Sequence, residues 1–326
     1  MNAGKKYMTQ QDPLNPSGSQ ASRWAILAGM LTIYVVWSST YLAIRFAVET
    51  MPPFLMAGVR FLVAGLFLYA LRRLKGDPAP SSVEWRSTGL IGIFLLVGGN
   101  GGVVWAEQRI VSSIAALVVG ATPLWIILID MIRLKGKRPP PLSIIGVVIG
   151  FVGITILVGP WQSKEASLTS LDPLGVVSLL IASISWALGS VYSRQVKLPP
   201  SPLLATGMEM TIGGSVLLIL GTLLGESRRL NLADISARSW WALIYLVIIG
   251  ALLGFAAYTW LLRVAPLPLV STYAYVNPLM ALILGNLLAQ EPITPRLLVS
   301  AIIIIGSVAL ITTSNIVSAR RRRIIS

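Results

Sequence analysis

The chain contains no cysteine and no histidine. The first absence excludes disulfides and thiolate chemistry, and the second excludes imidazole-dependent metal sites and proton relays. Carboxylate, hydroxyl, amide and aromatic groups are what remain. Charge is scarce as well: 12% of the 326 residues are charged, and Asp and Glu number 12 in all. Hydrocarbon fills the gap. The chain is 55% hydrophobic with a mean hydropathy of +0.78, more than a soluble core of this size can hide, so the membrane class is the default.

Runs of about 18 or more apolar residues predict ten spans, at 24–44, 54–71, 87–106, 111–132, 142–159, 174–193, 203–224, 240–261, 267–289 and 297–315. Only short connections separate them, and no soluble domain fits. Residues 1–23, polar and rich in turn formers, read as a disordered cytoplasmic lead rather than a cleavable signal. Residues 161–172 read as a linker and 316–326 as a basic cytoplasmic tail. The net charge of +14 does not point to nucleic acid, because its distribution follows the spans. With the N-terminus cytoplasmic, 18 Lys and Arg fall inside and 7 at or beyond the other face, the positive-inside bias with both termini cytoplasmic. The four arginines at 320–323 then read first as a topology anchor and second as a site for anionic lipid.

The chain repeats itself. A shift of 149 residues lays Trp37 on Trp186, Arg45 on Arg194, Pro53 on Pro202, Leu55 on Leu204, Gly58 on Gly207 and Gly65 on Gly214. A shift of 155 continues the match, taking Trp85 to Trp240, Gly99 to Gly254, Trp105 to Trp260 and Pro123 to Pro278. Five spans per half, at 24–160 and 173–315, force the copies into opposite orientations. Inverted repeats of this kind characterise secondary transporters, since two similar packings give similar energies to inward-open and outward-open states.

Arg60 lies well inside the second span, where facing lipid would cost roughly 2.5–3.5 kcal/mol. The 149 shift places it on Glu209, and the two backbones differ in depth by roughly 7 to 11 Å. A charge pair across the halves is the expectation, either a gate that loosens between states or a static lock of the second and seventh helices. Pro123 and Pro278, in "GATPLWIIL" and "AYVNPLMAL", remove backbone hydrogen bonds near the midplane, where a water-filled cavity satisfies freed carbonyls and lipid cannot. Their neighbours Thr122 and Asn277 add a hydroxyl and an amide; packing alone is the other use of such prolines. Asn100 sits among four glycines in "GGNGGVVWAEQR", which lacks the Lys-Ser/Thr pair of a phosphate loop. Glu107 ends that span beside Arg109 as a solvated interfacial pair, an outer gate or a proton acceptor. Trp24, Trp85, Trp161, Trp240 and Trp241 read as interfacial anchors. Trp37, Tyr41, Trp105, Trp125, Trp186, Tyr192, Tyr258, Tyr273 and Tyr275 lie deeper, as cavity lining for flat or amphipathic solutes or as core packing. Asp130, near the inner end of its span, is expected to pair with Arg133.

The stretches "WSSTYLAIRFAVETMPPFLMAGVRF", "GNGGVVWAEQ", "SISWALGSVYSR" and "STYAYVNPLMALILG" resemble the EamA branch of the drug/metabolite transporter superfamily, over roughly residues 24–315. The resemblance implies an all-α integral membrane protein of ten transmembrane helices, two inverted five-helix repeats around a central cavity, exporting or facilitating small metabolites, amino acids or drugs across the plasma (inner) membrane. Trp37, Tyr41, Arg60, Asn100, Glu107, Pro123, Trp186, Glu209, Tyr275, Asn277 and Pro278 fall within the matched stretches. Ser38 after Trp37, and the lack of a histidine after Glu107, leave imidazole-based coupling without support. The expected partners are a small-molecule substrate and membrane lipids, with no nucleic acid and no cofactor; Gly-rich surfaces such as "GGNGG" leave a homodimer open. An enzyme finds no paired aspartates with a Gly-rich partner, Ser–His arrangement or metal ligands in the spans, and translocation of lipid or lipid-linked sugar stands as the alternative function.

Overall fold

A computed structural model describes residues 22–132, 140–158, 172–265, 267–270 and 272–325. The 161–172 linker and the 1–23 lead lie almost wholly outside the described residues, as do Trp161, the Asp130–Arg133 pairing and the side chains of the terminal arginines. Among the described residues nine helices are long and apolar enough to cross a membrane, and one apolar helix is shorter. In order they are α1 (Arg23–Ala47), α2 (Pro53–Leu74), α3 (Ser82–Ala106), α4 (112–132), α5 (Pro141–Val158), α6 (Pro173–Ser193), α7 (Pro202–Leu223), α8 (237–264), the shorter α9 (Tyr273–Ala289) and α10 (Pro295–Ile325).

Local chemistry sets their starts. Proline opens α2, α5, α6, α7 and α10, at a position where its missing amide is not needed. Ser22, Ser81, Asp172, Ser201 and Ser236 accept from first-turn amides of α1, α3, α6, α7 and α8, and Ser81 completes a capping box with Glu84. The expected 267–289 span is divided into a turn at Leu267–Val270 and the 17-residue α9, which at about 25 Å is shorter than a ~30 Å hydrocarbon core. Conversely, α10 runs on to Ile325, past the expected limit of 315, because "SARRRRII" holds no helix breaker and Arg is a good helix former.

Contacts between helix ends sort the molecule into two sides. The Arg45 guanidinium donates to the Glu107 carbonyl, and Arg109 pairs with Asp172 at 3.1 Å. Leu55 N donates to Glu226 at 2.9 Å, Ser112 N to Glu291 at 2.8 Å, and Arg296 Nε to the Ile156 carbonyl at 2.7 Å. Thr50 and Ser239 join hydroxyls at 2.8 Å. These ten helix termini form the Glu107 side. On the other, the Tyr34 side, the hydroxyls of Tyr34 and Thr272 meet, Lys197 lies 3.9 Å from Glu84, and Tyr69 packs on Trp85.

The two halves meet most closely where α2 crosses α7. An added Cβ at Gly58, Gly65, Gly207 or Gly214 would lie 2.7 Å from Leu218, 2.5 Å from Thr211 N, 2.8 Å from Tyr69 N and 2.5 Å from Leu62 N, respectively. The glycines that the 149 shift aligns thus share one crossing in exchanged pairs, Gly214 against Gly58 and Gly207 against Gly65, backbone against backbone. This register corrects the Arg60–Glu209 expectation. Each residue stands two positions beyond a contact glycine, about 200° around a helix of 3.6 residues per turn, so both turn away from the crossing. No ion pair joins them among the described residues.

Gly65→Ala is therefore expected to destabilise the protein by about 1–3 kcal/mol through overpacking against backbone. Gly306→Ala on α10, where an added Cβ meets nothing within 4 Å, serves as the neutral control. Thermal unfolding in detergent separates them: equal melting temperatures would remove the close crossing as a source of stability.

Candidate functional site

A cavity of about 190 Å³ lies between the halves, lined from α1, α2, α3, α4, α6, α8 and α9. Helical period decides which expected residues reach it. Trp37, Tyr41 and Ile44 stand at i, i+4 and i+7 on α1; Ala182, Trp186 and Ser190 on α6 and Tyr273 and Asn277 on α9 follow the same spacing, and all line the cavity. Arg60, Asn100, Thr122, Pro123 and Pro278 line it as well. Five expected lining residues do not. Trp125, Tyr192 and Tyr275 each sit two positions from a lining residue, about 200° around the helix from it; Trp125 packs edge-on against Phe151 of α5 at 4.9 Å. Tyr258 forms a second layer, 4.9 Å from Trp37 and 5.8 Å from Tyr273 between ring centres. Trp105 lies at the far end of α3 under the Arg109 guanidinium, 4.0 Å away, at a separate depression on the Glu107 side.

The helices are interrupted where they border the cavity. α4 breaks at Ala121 between Ser112–Gly120 and Thr122–Ile132. The Val119 carbonyl that Pro123 leaves without its amide is taken by the Thr122 hydroxyl at 2.6 Å, which also lies 3.2 Å from Ser183 Oγ. On α9, Pro278 removes the amide due to Ala274, itself a lining residue. Two π-helical segments, Ile93–Asn100 in α3 and Leu246–Leu253 in α8, occupy equivalent places in the two halves within two residues of the 155 shift. Such wide turns recur at functional sites. They bring Leu96, Gly99, Asn100 and Gly250 to the cavity, and Ser185 Oγ donates to the Phe94 carbonyl at 2.7 Å. The glycines of "GGNGG" spend their small size within the copy: added Cβ atoms at Gly98, Gly99 and Gly102 would meet Ser185, Trp186 and Ala182 of α6, and one at Gly101 would meet Leu217 of α7.

Sequence reasoning missed several polar groups. Ser38 is fully buried; its hydroxyl donates to the Tyr34 carbonyl and lies 3.4 Å from Asn277 Oδ1. Its signal was the run of three hydroxyl residues, "SST", in an apolar helix. Glu291 and Glu226 cap the starts of α4 and α2 from the opposite half, and no local pattern announces a contact across that separation.

The Glu107 side is sealed. Ile44, Ile110 and Glu107 are buried there, as are the cavity residues Phe61, Leu96 and Arg60, whereas Trp37, Ile126, Trp186, Ser190 and Tyr273, toward the Tyr34 side, are half-buried. The expected Glu107–Arg109 interfacial pair does not form: Arg109 turns to Asp172, and both carboxylate oxygens of Glu107 are buried without a hydrogen-bond partner. Glu107 stands one residue past α3. Burial, then the Glu291 carboxylate, pushes its carboxyl well above the usual carboxylate range, while Arg45 and Arg60 pull it down. Arg60 is 3% exposed, its Nε and Nη1 carry no hydrogen bond, and its guanidinium carbon lies 4.7 Å from the Phe61 ring centre. Glu209 is half-buried on α7 and does not line the cavity.

The model of the EamA-like transporter family matches the chain twice, over residues 23–159 and 173–313. The chain is 37% identical over 288 residues to an uncharacterized inner membrane transporter of Escherichia coli K12, YedA, covering 88% of this chain and 90% of the relative. It is 26% identical to the protein PecM of Dickeya dadantii, over 88% of this chain and 92% of that protein. A crystal structure superposes with a TM-score of 0.59 over 89% of this chain and 98% of its own, at 21% identity, a likeness of fold.

Proposed function

The chain belongs to the EamA-like transporter family, and from that premise we propose that it moves small metabolites, amino acids among them, across the plasma (inner) membrane by alternating access. It is an all-helical, multi-pass membrane protein whose relatives are named transporters. Ten spans in two inverted repeats are the reading that accommodates nine long apolar helices, the shorter α9 and two successive family matches. An odd number of spans per match sets the two copies in opposite orientations. The Tyr34 side is the cytoplasmic one in this reading, with both termini there, because it collects the excess of Lys and Arg. The cavity, sealed toward Glu107 and half-exposed toward Tyr34, then belongs to an inward-facing state.

The observation that carries the proposal is a cavity walled by both halves, with helix irregularities at equivalent places in each. Irregular backbone at membrane depth is tolerated where it lines a water-filled site. Solute-loaded proteoliposomes test it: efflux of an amino-acid and organic-acid panel should exceed that of protein-free liposomes, and a repeat with an imposed pH gradient separates coupled from uncoupled movement. Lipid scrambling without efflux of any panel member would replace this reading by lipid translocation.

A further inference from the structure

We propose that the transported solute is a small monocarboxylate with an apolar body, its carboxylate seated on Arg60; the inference rests on the transport reading above and names the substrate class of that cavity. A buried guanidinium ordinarily meets a carboxylate or a set of carbonyls, because an unpaired buried charge is costly. Arg60 has neither at Nε or Nη1. Its guanidinium carbon lies 4.7 Å from the Phe61 ring centre, and although Glu107 acts on it from a distance, no carboxylate stands within ion-pair distance among the described residues. The head is held open on one flank by a missing side chain: a Cβ at Gly250 would lie 3.3 Å from Nη2. A planar, permanently charged donor group with free N–H bonds, facing a cavity, matches a carboxylate from the solute.

The rest of the wall limits the class further. Arg60 is the one charged side chain among the described lining residues, so a dianion would bring a second negative charge with no second cation there to meet it. Asn100 Oδ1 is buried without a partner and offers an acceptor to a hydroxyl or amino group on the solute. Trp37, Trp186 and Phe255 supply faces and edges for the apolar body. At about 190 Å³, equal to about six waters at roughly 30 Å³ each, the cavity falls below the ~300–1,000 Å³ of drug-sized pockets. Size and charge together favour a hydroxy or amino acid with one apolar side chain.

Binding to the purified full-length protein, read by tryptophan fluorescence, compares 3-phenyllactate with its uncharged amide, 3-phenyllactamide, and with the dianion phenylsuccinate. The acid should bind at least about tenfold more tightly than either, as expected for a charge-assisted contact. Arg60→Gln should abolish that preference, and Arg60→Lys should keep part of it. Amide binding as tight as the acid in the unaltered protein overturns the proposal without recourse to any variant, as does a failure of the acid to bind or a preference that survives in Arg60→Gln. Efflux from proteoliposomes is scored separately. Bound acid that is never released across the bilayer sinks the transport reading and leaves the site, while amide and acid leaving at equal rates sink the site and leave transport.

Discussion

Oxidising a Thr50→Cys/Ser239→Cys protein is expected to cut solute efflux by about tenfold or more, since a covalent lock removes one of the two states that alternating access requires. Dithiothreitol should restore it. The two hydroxyl oxygens stand 2.8 Å apart, close to the ~2.05 Å of a disulfide, and Ser239 also donates to the Phe46 carbonyl at 2.7 Å. The bond would join the exit of α1, in the first half, to the start of α8, in the second, on the sealed Glu107 side. Because the chain has no cysteine, the engineered pair is the only disulfide that can form within one chain, and each single cysteine variant controls for bonds between molecules. Oxidised protein that transports at the unoxidised rate would mean that this side need not open, and the alternating mechanism would fall with it.

How far the sequence carried the fold follows from what each signal encodes. Length and hydropathy found α2 at 54–71 against Pro53–Leu74, since crossing distance and hydrocarbon thickness are fixed by the membrane. Matched glycines and prolines betrayed the repeat because close helix crossings and helix breaks tolerate few alternatives. Azimuth was not legible. Depth alone placed Arg60 near Glu209, and only the facing of Gly65 against Thr211 and Gly214 against Leu62 reveals that both charges point away from the crossing. The same rotation removes Trp125, Tyr192 and Tyr275 from the cavity while leaving Pro123, Ser190 and Tyr273 in it. The π segments escaped notice for a related reason: one added residue in a helical turn leaves composition unchanged and alters only which faces align.

Glu291→Ala is expected to destabilise the protein by on the order of 3 kcal/mol. The carboxylate is 5% exposed and accepts from Ser112 N at 2.8 Å, Ser112 Oγ at 2.7 Å and Ser113 N at 2.9 Å. These amides open α4, whose preceding residue, Val111, has no capping side chain; a charged acceptor there also meets the positive end of the helix. Removing it strands buried donors, which costs more than the bonds themselves were worth. Glu291→Gln should cost less, about 1–2 kcal/mol, since its amide keeps one acceptor but sets an NH2 group against a donor. Gly285 leaves the room this cap needs: a Cβ there would lie 2.5 Å from Glu291 Oε2, so Gly285→Ala should fall in the same direction. Melting temperatures in detergent rank the three. The cap ties α9 to α4, the two helices that carry Pro278 and Pro123 into the cavity, so Glu291→Gln should also slow efflux in protein that remains folded. Unimpaired efflux would make the cap a matter of stability alone.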